Sequence, residues 1–208
     1  MTKKEFFRLQ KTLEPELPQF ICRGDIMYLS PTESLLRGIS FYSSGFSKTA
    51  FYVSVFVMLL SVPATCLVLS HSKRLLIDGK FDAWDSNKPE LQEDLLKAIQ
   101  EQGLPFLESV SSLPDFIAYT KGSPSNIRTL EVVGYAMARS GRVDEAIETF
   151  EQIMKVDPQY QWVADLQSQV LSLSNQLKRD PLNAQIFLAQ NEMATRQILK
   201  LPQPVGTF

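Results

Sequence analysis

A run of 20 residues without a charged side chain, Ala50–Leu69, limits the possible folds more than any other part of the chain. It is long enough to cross a bilayer as a helix, which takes about 20 apolar residues. Pro63 would break such a helix, and the first half is rich in β-branched and aromatic residues, which favour strands. We therefore expect a strand buried on both faces over 50–60, a second strand over 65–70 and no membrane span.

The residues around this run predict one helix followed by an antiparallel meander of four or five strands. Thr2 and Glu5 have the spacing of a capping box at the start of a helix. Short strands are expected over 26–29 and 35–42, each bounded by turn residues. A polar connector over 78–88 then leads into further helices, so the first part of the chain mixes strands and helices.

The second part of the chain predicts helices only, over 127–139, 143–156, about 160–178 and 181–199. The Gly/Ser/Pro loop at Lys121–Ser125 is the expected boundary. We thus predict an α+β domain over 1–121, a helical region over 126–201 and a loose tail over 202–208. The predicted fold class is α+β, with an N-terminal helix, an antiparallel meander and a helical C-terminal region.

Five residues within one short window predict a packed pair of antiparallel helices: Gly134, Gly141, Ala146, Phe150 and Pro158. Their spacing suits a close approach, a tight turn, a small contact, a bulky contact and a helix stop, in that order. The window resembles a single tetratricopeptide repeat, and this resemblance implies a concave surface for a peptide or protein. The same residues would also suit a helical subdomain that only closes the fold.

Composition argues against most catalytic and nucleic-acid-binding classes. The formal net charge is −2, whereas nucleic-acid binding requires a basic surface. His71 is the single histidine, and the glycines are scattered, so we predict no catalytic residue, no metal site and no cofactor. Cys22 and Cys66 lie in apolar surroundings and are expected to be buried free thiols. Because no signal-peptide pattern opens the sequence, we expect a cytoplasmic protein.

A further resemblance involves most of the chain. It is carried by residues 36–57, by the Gly-Leu-Pro-Phe-Leu turn at 103–107 and by residues 180–201. Their order resembles a group of uncharacterised bacterial α+β proteins, similar to the immunity proteins that neutralise bacterial toxins. The resemblance implies a fold and a protein partner, and it assigns no functional residue.

These observations favour a non-enzymatic protein that binds another protein or a peptide, as an immunity factor or an adaptor. The expected contact residues are Trp84 and Tyr160, because large rings with a polar edge supply much of the energy of interfaces, together with Asp82 and Asp85 in the connector. The groove between the repeat-like helices is the second predicted binding surface. The alternative is a small-ligand-binding protein or an enzyme with a pocket between the sheet and the helices.

Overall fold

The computed structural model describes residues 1–122 and 126–203, and the chain packs as two units. The first unit comprises Met1–Met58 and Val68–Ser111. The second comprises Leu59–Leu67 and the chain from Ser112 onward. The predicted α+β class is confirmed, since an N-terminal helix and a β-sheet precede a helical C-terminal region.

The N-terminal helix α1, Lys3–Leu13, begins with the predicted capping box. The Thr2 amide donates to the Glu5 carboxylate at 2.6 Å, and the Glu5 amide donates to the Thr2 hydroxyl at 3.3 Å. These bonds satisfy two donors that a helix start leaves unpaired. Phe6 and Leu13 on its inner side are buried, which is why the helix packs in the core of the first unit.

A six-stranded sheet forms the centre of the first unit. Its strands are β1 (Phe20–Arg23), β2 (Ile26–Leu29), β3 (Leu35–Ser43), β4 (Ala50–Leu59), β5 (Ser72–Arg74) and β6 (Ala83–Asp85). The spatial order is β1-β2-β3-β4-β5, and β6 also pairs with β4. Both β5 and β6 run antiparallel to β4, with Val55 opposite Lys73 and Phe51 opposite Trp84.

Strand β4 confirms the expectation of a strand buried on both faces. Consecutive side chains point to opposite faces of a sheet, and Val55, Phe56 and Val57 are all fully buried. The expected second strand over 65–70 is wrong, because this segment is a loop. The next strand along the chain that pairs with β4 is the polar segment 72–74, since backbone hydrogen bonding along the β4 edge selects it without any need for apolar side chains.

The loop after β4 also corrects the expectation of two buried thiols. Cys66 lies in this loop and is exposed, while Cys22 on β1 is half-buried. Burial raises the pKa of the Cys22 thiol. Both cysteines are free, as expected.

The remaining helices follow in chain order. The first unit contains α2 (Leu91–Ala98), a π-helical turn (Ile99–Gly103) and α3 (Leu104–Ser109). The second unit contains α4 (Leu113–Lys121), α5 (Ile127–Arg139), α6 (Val143–Met154), α7 (Gln161–Arg179) and α8 (Pro181–Ile198). The predicted C-terminal helices therefore lie where the sequence placed them.

The division of the chain differs from the sequence-based one in two places. By its contacts, α4 belongs with the helices that follow it, and so does the segment Leu59–Leu67, which lies far away in sequence. Residues 123–125 of the proposed boundary lie outside the described residues, as do residues 204–208 of the proposed tail.

Candidate functional site

The helical hairpin of α5 and α6 is held by one close approach. Gly134 faces the ring of Phe150, and a Cβ atom at position 134 would overlap that ring. Tyr135 contacts the same ring edge-on, with centroids 5.8 Å apart. Phe150 and Ala146 are buried, as their predicted packing roles require. The sequence interpretation of these residues as the contacts of a helix pair is confirmed.

A tight turn between α5 and α6 fixes the direction of the second helix. Gly141 has φ +80°, a left-handed conformation that residues with a Cβ atom rarely adopt. The Arg142 amide donates to the Met137 carbonyl at 2.9 Å, which closes the end of α5. The two helices therefore run back along each other and leave a cleft on one side of the hairpin.

This cleft has a volume of about 260 Å³. Helix α5 supplies one set of its lining residues, Thr129, Leu130, Val133 and Met137. Helix α6 supplies Glu145, Glu148, Thr149 and Gln152, and Lys121 comes from the end of α4. The aliphatic and threonine members are mostly buried, whereas the charged residues and Gln152 are partly or fully exposed. The cleft thus combines an apolar base with a polar mouth.

Charge at the mouth is only partly neutralised within the protein. The Arg142 guanidinium donates two hydrogen bonds to the Glu145 carboxylate, one at 2.6 Å from Nε. These bonds, with a smaller contribution from the Lys121 charge, lower the pKa of Glu145. The side chain of Glu148 has no hydrogen-bond or ion-pair partner among the described residues. Its carboxylate is therefore available to a ligand.

The lining places hydroxyl, amide and charged groups beside aliphatic side chains. The Thr149 hydroxyl donates to the Glu145 carbonyl at 2.8 Å, so its proton is engaged in a hydrogen bond within α6. The lining contains no histidine and no cysteine. Over residues 1–122 and 126–203, no group of three or more His, Cys, Asp or Glu side chains is placed to hold a metal ion.

Trp84 is buried in the structure, whereas the sequence led us to expect it in a binding surface. Its side chain is 1% exposed, and its indole Nε1 donates to the Leu75 carbonyl at 3.2 Å. Residues opposite each other in an antiparallel pair share a face, and Trp84 lies opposite the buried Phe51. A buried ring cannot serve as the surface contact that we expected, so the binding role of Trp84 is corrected to a core role.

The two predicted acidic contacts flank this buried tryptophan. The Asp82 carboxylate forms an ion pair with Arg74, whose guanidinium lies 4.2 Å from the centre of the Tyr52 ring. The Asp85 carboxylate accepts a hydrogen bond from the Asn87 amide at 3.0 Å. Both carboxylates therefore have partners within the first unit, and their role in binding stays a prediction.

Tyr160 belongs to the second unit, at the residue before α7, and is 64% exposed. Two residues further on, Trp162 is 42% exposed. The Arg128 guanidinium lies 4.6 Å from the Trp162 ring centre. Tyr160 and Trp162 are therefore both accessible on the second unit.

Sequence reasoning missed the polar residues of the cleft, Lys121, Glu148 and Gln152. A signal was available, because Glu145, Glu148 and Gln152 recur at intervals of three and four residues and therefore share one face of α6. Nothing in the sequence showed that this face borders a cleft.

No helix among the described residues combines the length and the apolar character needed to span a bilayer. No family model matches the chain, and neither a curated protein nor a solved structure matches it at a significant level.

Proposed function

We propose that this protein is a non-enzymatic interaction module that binds a peptide segment of a partner protein in the α5–α6 cleft. The observation that carries the proposal is the combination of a buried apolar base with a Glu148 carboxylate at the mouth that has no partner among the described residues. A long side chain with an apolar stem and a donor at its end, such as lysine or arginine, satisfies both features.

The size of the cleft supports a peptide side chain as its occupant. Pockets for drug-sized ligands and cofactors measure about 300–1,000 Å³. At about 260 Å³, the cleft is smaller than this range and is lined by two helices and the end of a third. Tyr160 and Trp162 are exposed on the same unit, and exposed aromatic residues are frequent at protein interfaces.

The resemblance of the sequence to immunity proteins supports the kind of partner that we propose. It favours a cytoplasmic immunity factor or adaptor with a protein partner. A toxin-like reading frame next to the gene would supply the first candidate, to be tested by co-purification. The alternative of a small-ligand protein or enzyme stays a prediction, which screening against metabolites would test.

A selection from a random peptide library displayed on phage, using the whole purified chain, tests the proposal. We expect enriched peptides to share a lysine or arginine beside apolar residues. Their affinity should fall at least about tenfold in Glu148→Lys, because the change places like charges in contact.

The matched control is Glu151→Lys, which makes the same charge change on α6 outside the cleft. Glu151 forms only an exposed ion pair with Lys178, which contributes little to stability. Enrichment without a common side chain, or equal affinities for the two variants, would contradict the proposal.

A further inference from the structure

The charged side chains that line the α5–α6 cleft are Glu145, Glu148 and Lys121. The two glutamates belong to α6, and Lys121 belongs to the last turn of α4. A ligand that covers the cleft displaces water from these charges. Removing water from a charge costs free energy unless an opposite charge replaces it. The charges that have no partner within the protein therefore determine which charges a ligand needs.

Glu145 is neutralised within the protein. Arg142, the residue before α6, binds both oxygen atoms of this carboxylate with two nitrogen atoms of its guanidinium. The planar guanidinium matches a carboxylate in this two-bond geometry, which gives a strong and directional ion pair. The bonds raise the pKa of Arg142 and lower the pKa of Glu145, so both groups stay charged and paired. Glu145 thus has no unpaired charge to offer a ligand.

Lys121 and Glu148 are not neutralised in this way. Over residues 1–122 and 126–203, neither side chain forms an ion pair or a hydrogen bond, and the two do not pair with each other. The Lys121 charge acts on Glu145 only as a minor contribution to the lowered pKa of that carboxylate. Within the described part of the chain, the lining therefore keeps one unpaired positive charge and one unpaired negative charge, on different helices.

We propose that the partner segment carries an acidic residue close in sequence to its lysine or arginine, and that Lys121 binds this acidic side chain. The inference rests on the proposed function of the cleft as a peptide site. A segment with basic residues alone would bring a second positive charge to Lys121, which disfavours it. An uncharged segment would displace water from both charges and replace it with nothing. The acidic and basic residues lie close together because both protein charges line one cleft of about 260 Å³.

Parallel selections from the random phage library, with the whole unmodified chain and with single variants, test the inference. With the unmodified chain we expect a basic and an acidic residue to be enriched together in the same peptides. Lys121→Gln should lose the acidic enrichment and keep the basic one, and Glu148→Gln should do the reverse. The control is Lys97→Gln, because Lys97 is likewise the basic residue in the last turn of a helix but lies outside the cleft. Its selected peptides should match those of the unmodified chain.

Charge reversal gives a second readout. Lys121→Glu should select a basic residue at the position where the unmodified chain selects an acidic one. One enriched peptide is then synthesised with its acidic residue and with the matching amide, and fluorescence anisotropy measures the affinity of both. The amide should weaken binding to the unmodified chain about fivefold, the effect of one partly exposed ion pair. It should leave binding to Lys121→Gln unchanged, because that variant has no charge for the acidic residue to meet.

The possible outcomes separate this inference from the proposed function. Selected peptides without a common basic residue would overturn both. A common basic residue without a neighbouring acidic one would leave peptide binding in place and overturn the inference. Acidic enrichment that survives in Lys121→Gln would overturn it as well. Lys121 and Glu148 are exposed, so their variants should keep the helical circular dichroism and the melting temperature of the unmodified chain.

Discussion

At the scale of single residues, two aromatic side chains of one connector have opposite environments. Trp84 is 1% exposed and Phe81 is 67% exposed, although they lie three residues apart in a polar segment. Trp84 is buried because a three-residue strand pairs with the edge of β4 and turns its ring inward. Such a short strand has no periodicity to read, so the sequence alone did not distinguish a core tryptophan from an interface tryptophan.

Replacing Trp84 with alanine should therefore act on stability. We expect a loss of about 3–5 kcal/mol in the free energy of unfolding, the usual result of deleting a large buried ring. Phe81→Ala is the matched control and should change the free energy by no more than about 0.5 kcal/mol. Urea titration followed by circular dichroism measures both. An unchanged midpoint for Trp84→Ala would show that the ring is not part of the core.

Gly134 is the second residue with a single decisive contact. Alanine at this position would press its Cβ atom against the Phe150 ring, and we expect a loss of about 1–3 kcal/mol. Gly45→Ala is the control, since open space surrounds Gly45 and its change should be nearly neutral. Adding Phe150→Leu should make the Gly134→Ala change less costly, which a double-mutant cycle measures. Strict additivity would mean that the two residues do not interact.

His71 gives the protein a pH dependence with a definite sign. Burial lowers its pKa below the ordinary 6.5, so the unfolded chain takes up a proton at a pH where the folded chain does not. The contribution of neutral His71 to stability is complete above pH 6.5 and is lost as the pH falls from there to the folded-state pKa.

The comparison with His71→Gln isolates this effect, because carboxylates titrate equally in both proteins. The free energy of unfolding of the unmodified protein should fall relative to that of the variant as the pH is lowered through this window. Parallel pH profiles for the two proteins would contradict the prediction.

At the scale of elements, helices were easier to predict than strands because their signals are local. The Asn126 side chain caps α5, and Asp180 followed by Pro181 starts α8. Strands β5 and β6 depend on pairing with β4, which no local pattern of three residues records. The apolar run at 67–69 has strand propensity but no partner strand, so it stays a loop.

The loop after β4 can be tested through its cysteine. Cys66 is exposed, whereas Cys22 is half-buried and burial raises the pKa of its thiol. Because the thiolate is the reactive form, Cys66 should react much faster than Cys22 with a disulfide reagent in the native state. The absorbance of the thiolate that the reagent releases follows both phases, and the Cys66→Ser variant should lack the fast phase. A single slow phase for both thiols would place the loop in the interior.

At the scale of the whole molecule, the α5–α6 cleft was the hardest feature to predict. Its lining comes from three helices, and Lys121 joins it from α4, which the sequence placed with the first domain. The fold class and the hairpin contacts follow from spacing, since they concern neighbours within one element or between consecutive elements. The cleft depends on how separate elements pack, and that packing has no signature in a single sequence.

The second unit is discontinuous in sequence, and this affects any attempt to produce it alone. Leu60 and Ser61 are fully buried and belong to that unit by their contacts. The Thr195 hydroxyl donates to the Val62 carbonyl at 3.4 Å. A fragment that begins at Ser112 should thus unfold at a lower urea concentration than the whole chain and should bind a hydrophobic dye. A fragment that keeps the midpoint of the whole chain and binds no dye would contradict this expectation.

The same segment has a consequence for synthesis on the ribosome. Leu59–Leu67 emerges well before the first helix of the unit to which it belongs, because residues 68–111 must be translated in between. During that interval its leucines have no native partners and remain open to a chaperone or to aggregation. The order of translation, as well as the stability of the folded state, should therefore affect the yield of folded protein.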